Sequence, residues 1–182
     1  MEDLDRAELN DLVAKMKVEP NGPFPRFYEL TKNKVFYLIF SYVHDYATSE
    51  DLLQETYVSF LDSLHKLSVE LNPLGYLLST GKNKALDYLR SHSKVVDVEE
   101  ETLDYLGESE EHYDGTGELL KKIRGLLNPL EYQTYILHVL SDLTFREISQ
   151  VVHRPVGTLT YVYSLAISKL KEGLKEYGKG RV

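Results

Sequence analysis

The sequence predicts an all-α chain: two small helical domains joined by an acidic flexible linker, the second domain ending in a helix-turn-helix. Three observations carry this prediction. Apolar residues recur at spacings of three and four along most of the 182 residues, and few segments alternate as strands do. Between Val95 and Glu118 there are ten acidic residues and no Lys or Arg, in a stretch that also holds Gly107, Gly115 and Gly117. Near the C-terminus, Thr144-Phe145-Arg146-Glu147 has the form of a capping box opening a short helix. A turn at His153-Arg154-Pro155 and a longer helix follow. The expected divisions are 1–94, 95–118 and 119–182.

A first helix is predicted from about Asp5 to Lys17, with Leu9, Leu12, Val13 and Met16 inward, and the run Pro20 to Pro25 breaks it. A second covers about Phe27 to His44. Thr48 or Ser49 can cap a third that runs to about Leu67. It buries Leu53, Tyr57, Phe60, Leu64 and Leu67, and its outer face carries Asp51, Gln54, Glu55 and Asp62. Asn72-Pro73 opens a fourth, with Pro at the first helical position, running to about Ser93.

After the acidic segment a short helix is expected from Glu118 to about Leu126, and another from Pro129 to about Leu140. The helix-turn-helix then spans Phe145 to Val152 and Val156 to about Glu176. Its second helix should bury Leu159, Val162, Ala166, Leu170 and Tyr163.

The net charge of −8 argues at first against a nucleic-acid partner. Its distribution reverses that reading. The ten acids of the linker segment exceed the net charge of the whole chain, while residues 119–182 carry ten basic residues against five acidic ones. There is no cysteine, so disulfides, thiolate metal sites and a cysteine nucleophile are all excluded. The charged N-terminus does not read as a signal peptide. The longest apolar stretch, Val35 to Val43, is interrupted by Ser41 and too short to span a bilayer. A cytoplasmic protein is the expectation. None of the six histidines lies within four residues of another, and there is no GxSxG, Walker A loop, GxGxxG or HExxH. The sequence predicts no catalytic residues, no metal, no cofactor and no small-molecule substrate.

Two surfaces could bind nucleic acid. On the fourth helix, Leu74, Leu78, Gly81, Ala85 and Leu89 form one stripe. Opposite lie Tyr76, Thr80, Asn83, Asp87, Arg90 and Lys94, with Lys84 at the edge. Cations meet phosphate, amides read base edges and rings stack on exposed bases, a combination suited to single-stranded DNA. A solvated helix face has the same pattern. In the helix-turn-helix the first helix props the second, whose N-terminal end enters the major groove. The outer face of that second helix presents Thr160, Tyr161, Ser164, Ser168, Lys171 and Lys175, and a structural helical hairpin remains the other reading. Asp51 and Glu55, four apart on the third helix, form an acidic face open to solvent or to a basic protein partner.

Three segments in order resemble one family. Residues 48–67, TSEDLLQETYVSFLDSLHKL, resemble the sigma-factor segment that grips the polymerase clamp. Residues 72–94, NPLGYLLSTGKNKALDYLRSHSK, are similar to the segment that opens and reads the downstream promoter element. Residues 126–174 resemble the domain that binds the upstream element. With only a linker between the domains, the chain looks like a bacterial RNA polymerase sigma factor of the extracytoplasmic-function group.

The resemblance implies a non-enzymatic protein that binds core RNA polymerase and directs initiation at particular promoters. Asp51, Gln54 and Glu55 would contact polymerase. Lys82, Asn83, Lys84, Asp87 and Arg90 would meet the melted strand. Arg146, Arg154, Thr158, Thr160, Tyr161, Ser164 and Lys171 would meet duplex DNA, and the acidic linker would thread the RNA exit path. An anti-sigma factor is a further partner the resemblance implies. The pattern departs from the family where basic residues are common: here stand Thr160, Val162, Leu165 and Ile167, and also Ser91 and Ser93. A sigma-like co-regulator, holding polymerase or a partner without reading an upstream element, is the alternative.

Overall fold

The computed structural model describes residues 2–19, 21–67, 72–92 and 116–175. Among these there are eight α-helices and no strand: α1 (Glu2–Met16), α2 (Phe24–Val43), α3 (Tyr46–Ser63), α4 (Pro73–His92), α5 (Thr116–Leu126), α6 (Pro129–Val139), α7 (Phe145–Val152) and α8 (Val156–Gly173). The predicted acidic linker, apart from the start of α5, and Lys94 lie outside the described residues, as does Glu176.

Helices α1 to α4 form an N-terminal bundle in which α2, α3 and α4 pack on one another and α1 lies across α2 and α4. The apolar periodicity dictates this. Leu9, Leu12, Val13 and Met16 of α1 are buried as predicted, and so is the stripe Leu74, Leu78, Ala85 and Leu89 of α4. At the centre the fully buried rings of Phe27 and Phe60 stack with centroids 4.9 Å apart. Such pairing adds about 1 kcal/mol to the burial itself. Beside them Thr31 Oγ1 and the Tyr57 hydroxyl are 2.6 Å apart, which satisfies both buried groups. Gly81 sits where α4 crosses α2, and a Cβ there would come within 3.3 Å of Val35 and Ile39.

Helix α3 corrects the predicted boundaries. Its cap is Asp45, in extended conformation with its carboxylate accepting the Thr48 N–H at 2.7 Å, rather than Thr48 or Ser49. A carboxylate at this position complements the helix dipole as well as an orphan N–H. Ser49 is instead buried inside the helix. The far end tightens into a 3₁₀ turn over Leu64–Lys66, so Leu67 is only half-buried.

In the C-terminal bundle α8 packs against α5, α6 and α7. Asn128 and Glu131 form a full capping box on α6, and Thr144 and Glu147 form one on α7, the second as the sequence predicts. Leu159, Ala166 and Leu170 are buried. Val162 and Tyr163 are only half-buried, and the Tyr163 ring stands edge-on to His138 and Phe145. Helix α8 ends at Gly173, where a Cβ would come within 2.7 Å of the far end of the Leu126 side chain, which would have to shift to admit it.

The two bundles touch. Helix α2 packs on α6 and α4 on α7, and the apolar core runs from one bundle into the other.

Candidate nucleic-acid interface

The outer face of α3 is as the sequence predicts: Asp51, Gln54, Glu55 and Asp62 are all exposed. The face beside it belongs to α4, where Asn83, Asp87 and Arg90 are exposed and Lys84 is half-buried. Lys84 Nζ lies 3.2 Å from Glu55 Oε2, so the acidic patch of α3 and the basic edge of α4 meet in one continuous surface. Arg90 reaches back to Asp87 at 3.0 Å. Each pair has at least one well-exposed partner and contributes little to stability, so these charges are exchangeable for those of a partner.

Lys82 departs from the expected face. It is 5 % exposed, and its ammonium donates to the Val151 carbonyl at 3.0 Å, in the last turn of α7. No phosphate could reach it in this arrangement. The periodicity of α4 puts Lys82 beside Leu78 and Leu86, and the opposing bundle covers that edge. The covering helix is 69 residues away in sequence, so no local pattern could have revealed it.

On the helix-turn-helix, Thr158, Thr160, Tyr161, Ser164 and Lys171 are all exposed on α8, as are Arg146 on α7 and Arg154 in the turn. The Thr160 hydroxyl donates to the Val156 carbonyl and that of Ser164 to Thr160, at 2.9 and 3.0 Å. Their oxygens keep acceptor capacity on the outer face. Tyr161, 65 % exposed, stands beside Leu165, 37 % exposed, while Ile167 is half-covered.

Sequence reasoning missed the groups that join or stiffen the bundles. Glu131 is almost wholly buried, completes the α6 cap and accepts from Lys169 Nζ at 2.7 and 2.8 Å. His44 closes α2 in the left-handed conformation, φ 57°, with its ring 5.5 Å from that of Tyr132. Burial, and then the nearby Arg124 charge, push its pKa down to about 3, so the imidazole is neutral. No spacing rule marks such a histidine.

The sequence has counterparts among known proteins. The family described as Sigma-70 region 2 matches residues 27–95. The chain is 25 % identical over 149 residues to the ECF RNA polymerase sigma factor SigM of Bacillus subtilis (strain 168), covering 79 % of this chain and 90 % of that one. This similarity and the region 2 match support an ECF sigma factor. RNA polymerase sigma factor SigV of the same organism is 27 % identical over 130 residues, 70 % of this chain and 76 % of the relative. The ECF RNA polymerase sigma factor BldN of Streptomyces coelicolor (strain ATCC BAA-471 / A3(2) / M145) is 25 % identical over 175 residues, 92 % of this chain and 66 % of the relative. The region 2 match begins at Phe27 and takes in most of α2 and all of α3 and α4, and so the whole α3–α4 face. No helix among the described residues is long and apolar enough to cross a membrane.

Proposed function

We propose that this chain binds core RNA polymerase and directs initiation at a particular set of promoters, with residues 1–94 and 119–182 as its two working domains and 95–118 as the linker. The observation that carries this reading is the shared α3–α4 surface inside the region 2 match. There the exposed Asp51, Gln54 and Glu55 adjoin Asn83, Lys84, Asp87 and Arg90. Acidic groups suit a basic polymerase surface, and the adjoining amide and cations suit a melted strand. A sigma factor catalyses no reaction; it lowers the cost of melting by binding the open strand.

In this reading the helix-turn-helix meets the upstream element through Thr160, Tyr161 and Ser164, with Arg146, Arg154, Thr158 and Lys171 on phosphates. An anti-sigma factor would act by covering one of these surfaces, and the protein would work in the cytoplasm, where polymerase is. Gel filtration with purified bacterial core polymerase tests the first step. Stoichiometric co-elution supports the reading, and separate elution at micromolar concentrations contradicts it.

A further inference from the structure

Helix α1 stands outside the region 2 match, which begins at Phe27, yet it is built into the same bundle. Its Leu9, Leu12, Val13 and Met16 are buried where it lies across α2 and α4. Glu8 adds a 2.9 Å pair with Arg26 in the first turn of α2. The chain is still wound where α1 ends. The Lys17 N–H donates to the Val13 carbonyl at 3.2 Å, and the Lys15 carbonyl accepts from Val18 and Glu19 at 3.0 Å. Lys17 therefore projects from a fixed backbone. Its half-buried side chain crosses to the far end of α3, where the ammonium donates to the Leu67 carbonyl at 2.5 Å, 50 residues away in sequence.

Leu67 is where the chain leaves α3. It follows the 3₁₀ turn Leu64–Lys66 and is extended, with φ −69° and ψ 130°. A carbonyl at the end of a helical turn has no partner within it, and a charged donor gives it a stronger bond than a neutral one. Only residues 68–71 separate Leu67 from Asn72, a reach of at most about 18 Å. At Asn72 the path is set again. Its carbonyl accepts the Tyr76 N–H at 3.0 Å, and its side chain sits against Gly75, where a Cβ would lie 3.2 Å from Asn72 Nδ2. Tyr76 in turn packs on Phe60 of α3, with ring centroids 6.0 Å apart. Lys17 thus fixes one end of a short connection whose other end begins α4, and the body of α1 packs on α4 itself.

We propose that Lys17 is a positioning residue for promoter opening: by tying the end of α3 to α1, it sets the angle at which α4 presents Asn83, Lys84 and Arg90 to the melted strand. This role rests on the sigma-factor reading. A face held in its bound geometry before the strand arrives binds more tightly than one that must be ordered on arrival. Lys17 belongs to neither candidate face, so polymerase binding should not depend on it.

The test compares one promoter as intact duplex and as the same DNA pre-melted across the downstream element, each with core polymerase and the full chain. Lys17→Met keeps the aliphatic stem and removes the ammonium. It should co-elute with core as the unmodified chain does and melt within about 2–4 °C of it. It should initiate at least about tenfold less on the duplex, yet within about twofold on the pre-melted template. Lys17→Arg, which keeps a charged donor, should restore most of the duplex activity. Equal duplex initiation by Lys17→Met and the unmodified chain overturns the proposal. So does an equal loss on both templates, which is what a lysine that only holds the fold together would give. Should Lys17→Met fail to fold, Lys17→Gln decides by the same comparison: a loss confined to the duplex supports the role, and no loss overturns it. An unmodified chain that initiates on neither template overturns the sigma-factor reading, and the positioning role with it.

Discussion

Lys84 of α4 and Glu55 of α3 face each other at 3.2 Å, one from the helix proposed to meet DNA and the other from the helix proposed to meet polymerase. Glu55 is 61 % exposed in its side chain, so the pair stabilises the fold little. Its position matters more: the two candidate surfaces share an edge.

Reversing the acidic face should therefore remove binding without unfolding. Asp51→Lys with Glu55→Lys is expected to abolish co-elution with core polymerase while moving the thermal midpoint by no more than about 2–4 °C. Gel filtration and a circular-dichroism melt measure the two effects. Normal co-elution by the double variant would sink the assignment of Asp51 and Glu55.

The exposed face of α8 makes a separate prediction. Tyr161→Ala with Ser164→Ala touches no buried group, so stability should stay within about 0.5 kcal/mol. Preference for the upstream element should change by roughly 1–3 kcal/mol for each base that the variant no longer reads. Footprinting on variant promoters reads this directly, and an identical footprint would show that these two side chains do not read bases.

The cap on α7 is open to a plain stability test. Thr144 Oγ1 accepts the Glu147 N–H and donates to the Glu147 carboxylate at 2.8 Å. Thr144→Ala should cost about 1 kcal/mol in urea unfolding, and Thr144→Ser should restore most of it. Helix α7 has eight residues, too few to persist alone, so the loss should also weaken upstream-element binding.

His44 predicts the pH dependence. Its folded pKa of about 3 lies below the ordinary 6.5, so the folded chain refuses a proton that the unfolded chain accepts. Above pH 6.5 both forms are neutral and the contribution to stability is fully present. As pH falls from there toward 3 it is progressively lost, by about 2 kcal/mol at pH 5. Asn tolerates the left-handed backbone that His44 adopts. His44→Asn should thus shrink the fall in urea midpoint between pH 8 and pH 5, and an unchanged fall would place the titration elsewhere.

Local chemistry made most of the fold legible. Buried stripes, the Pro73 helix start and the Thr144 box are short-range signals, and they hold in the structure. The acidic α3 face and the polar face of α8 were legible for the same reason, since helical periodicity decides which side chains point outward. What the sequence hid is long-range. Lys82 reads as one more cation on a basic helix until α7 covers it. His44 reads as an ordinary histidine at a helix end until Tyr132 packs against it and the Arg124 charge comes near. The start of α3 differs from expectation for a smaller reason: Asp45, Thr48 and Ser49 are all good caps, and only backbone geometry chooses between them.

The most direct test of the central claim is transcription by bacterial core polymerase, with and without this chain, on fragmented DNA from its own genome. We predict initiation at discrete sites that core alone does not use, sharing a sequence in the two promoter elements. Core that binds the chain yet initiates at no new site would contradict the claim and leave a sigma-like co-regulator in its place.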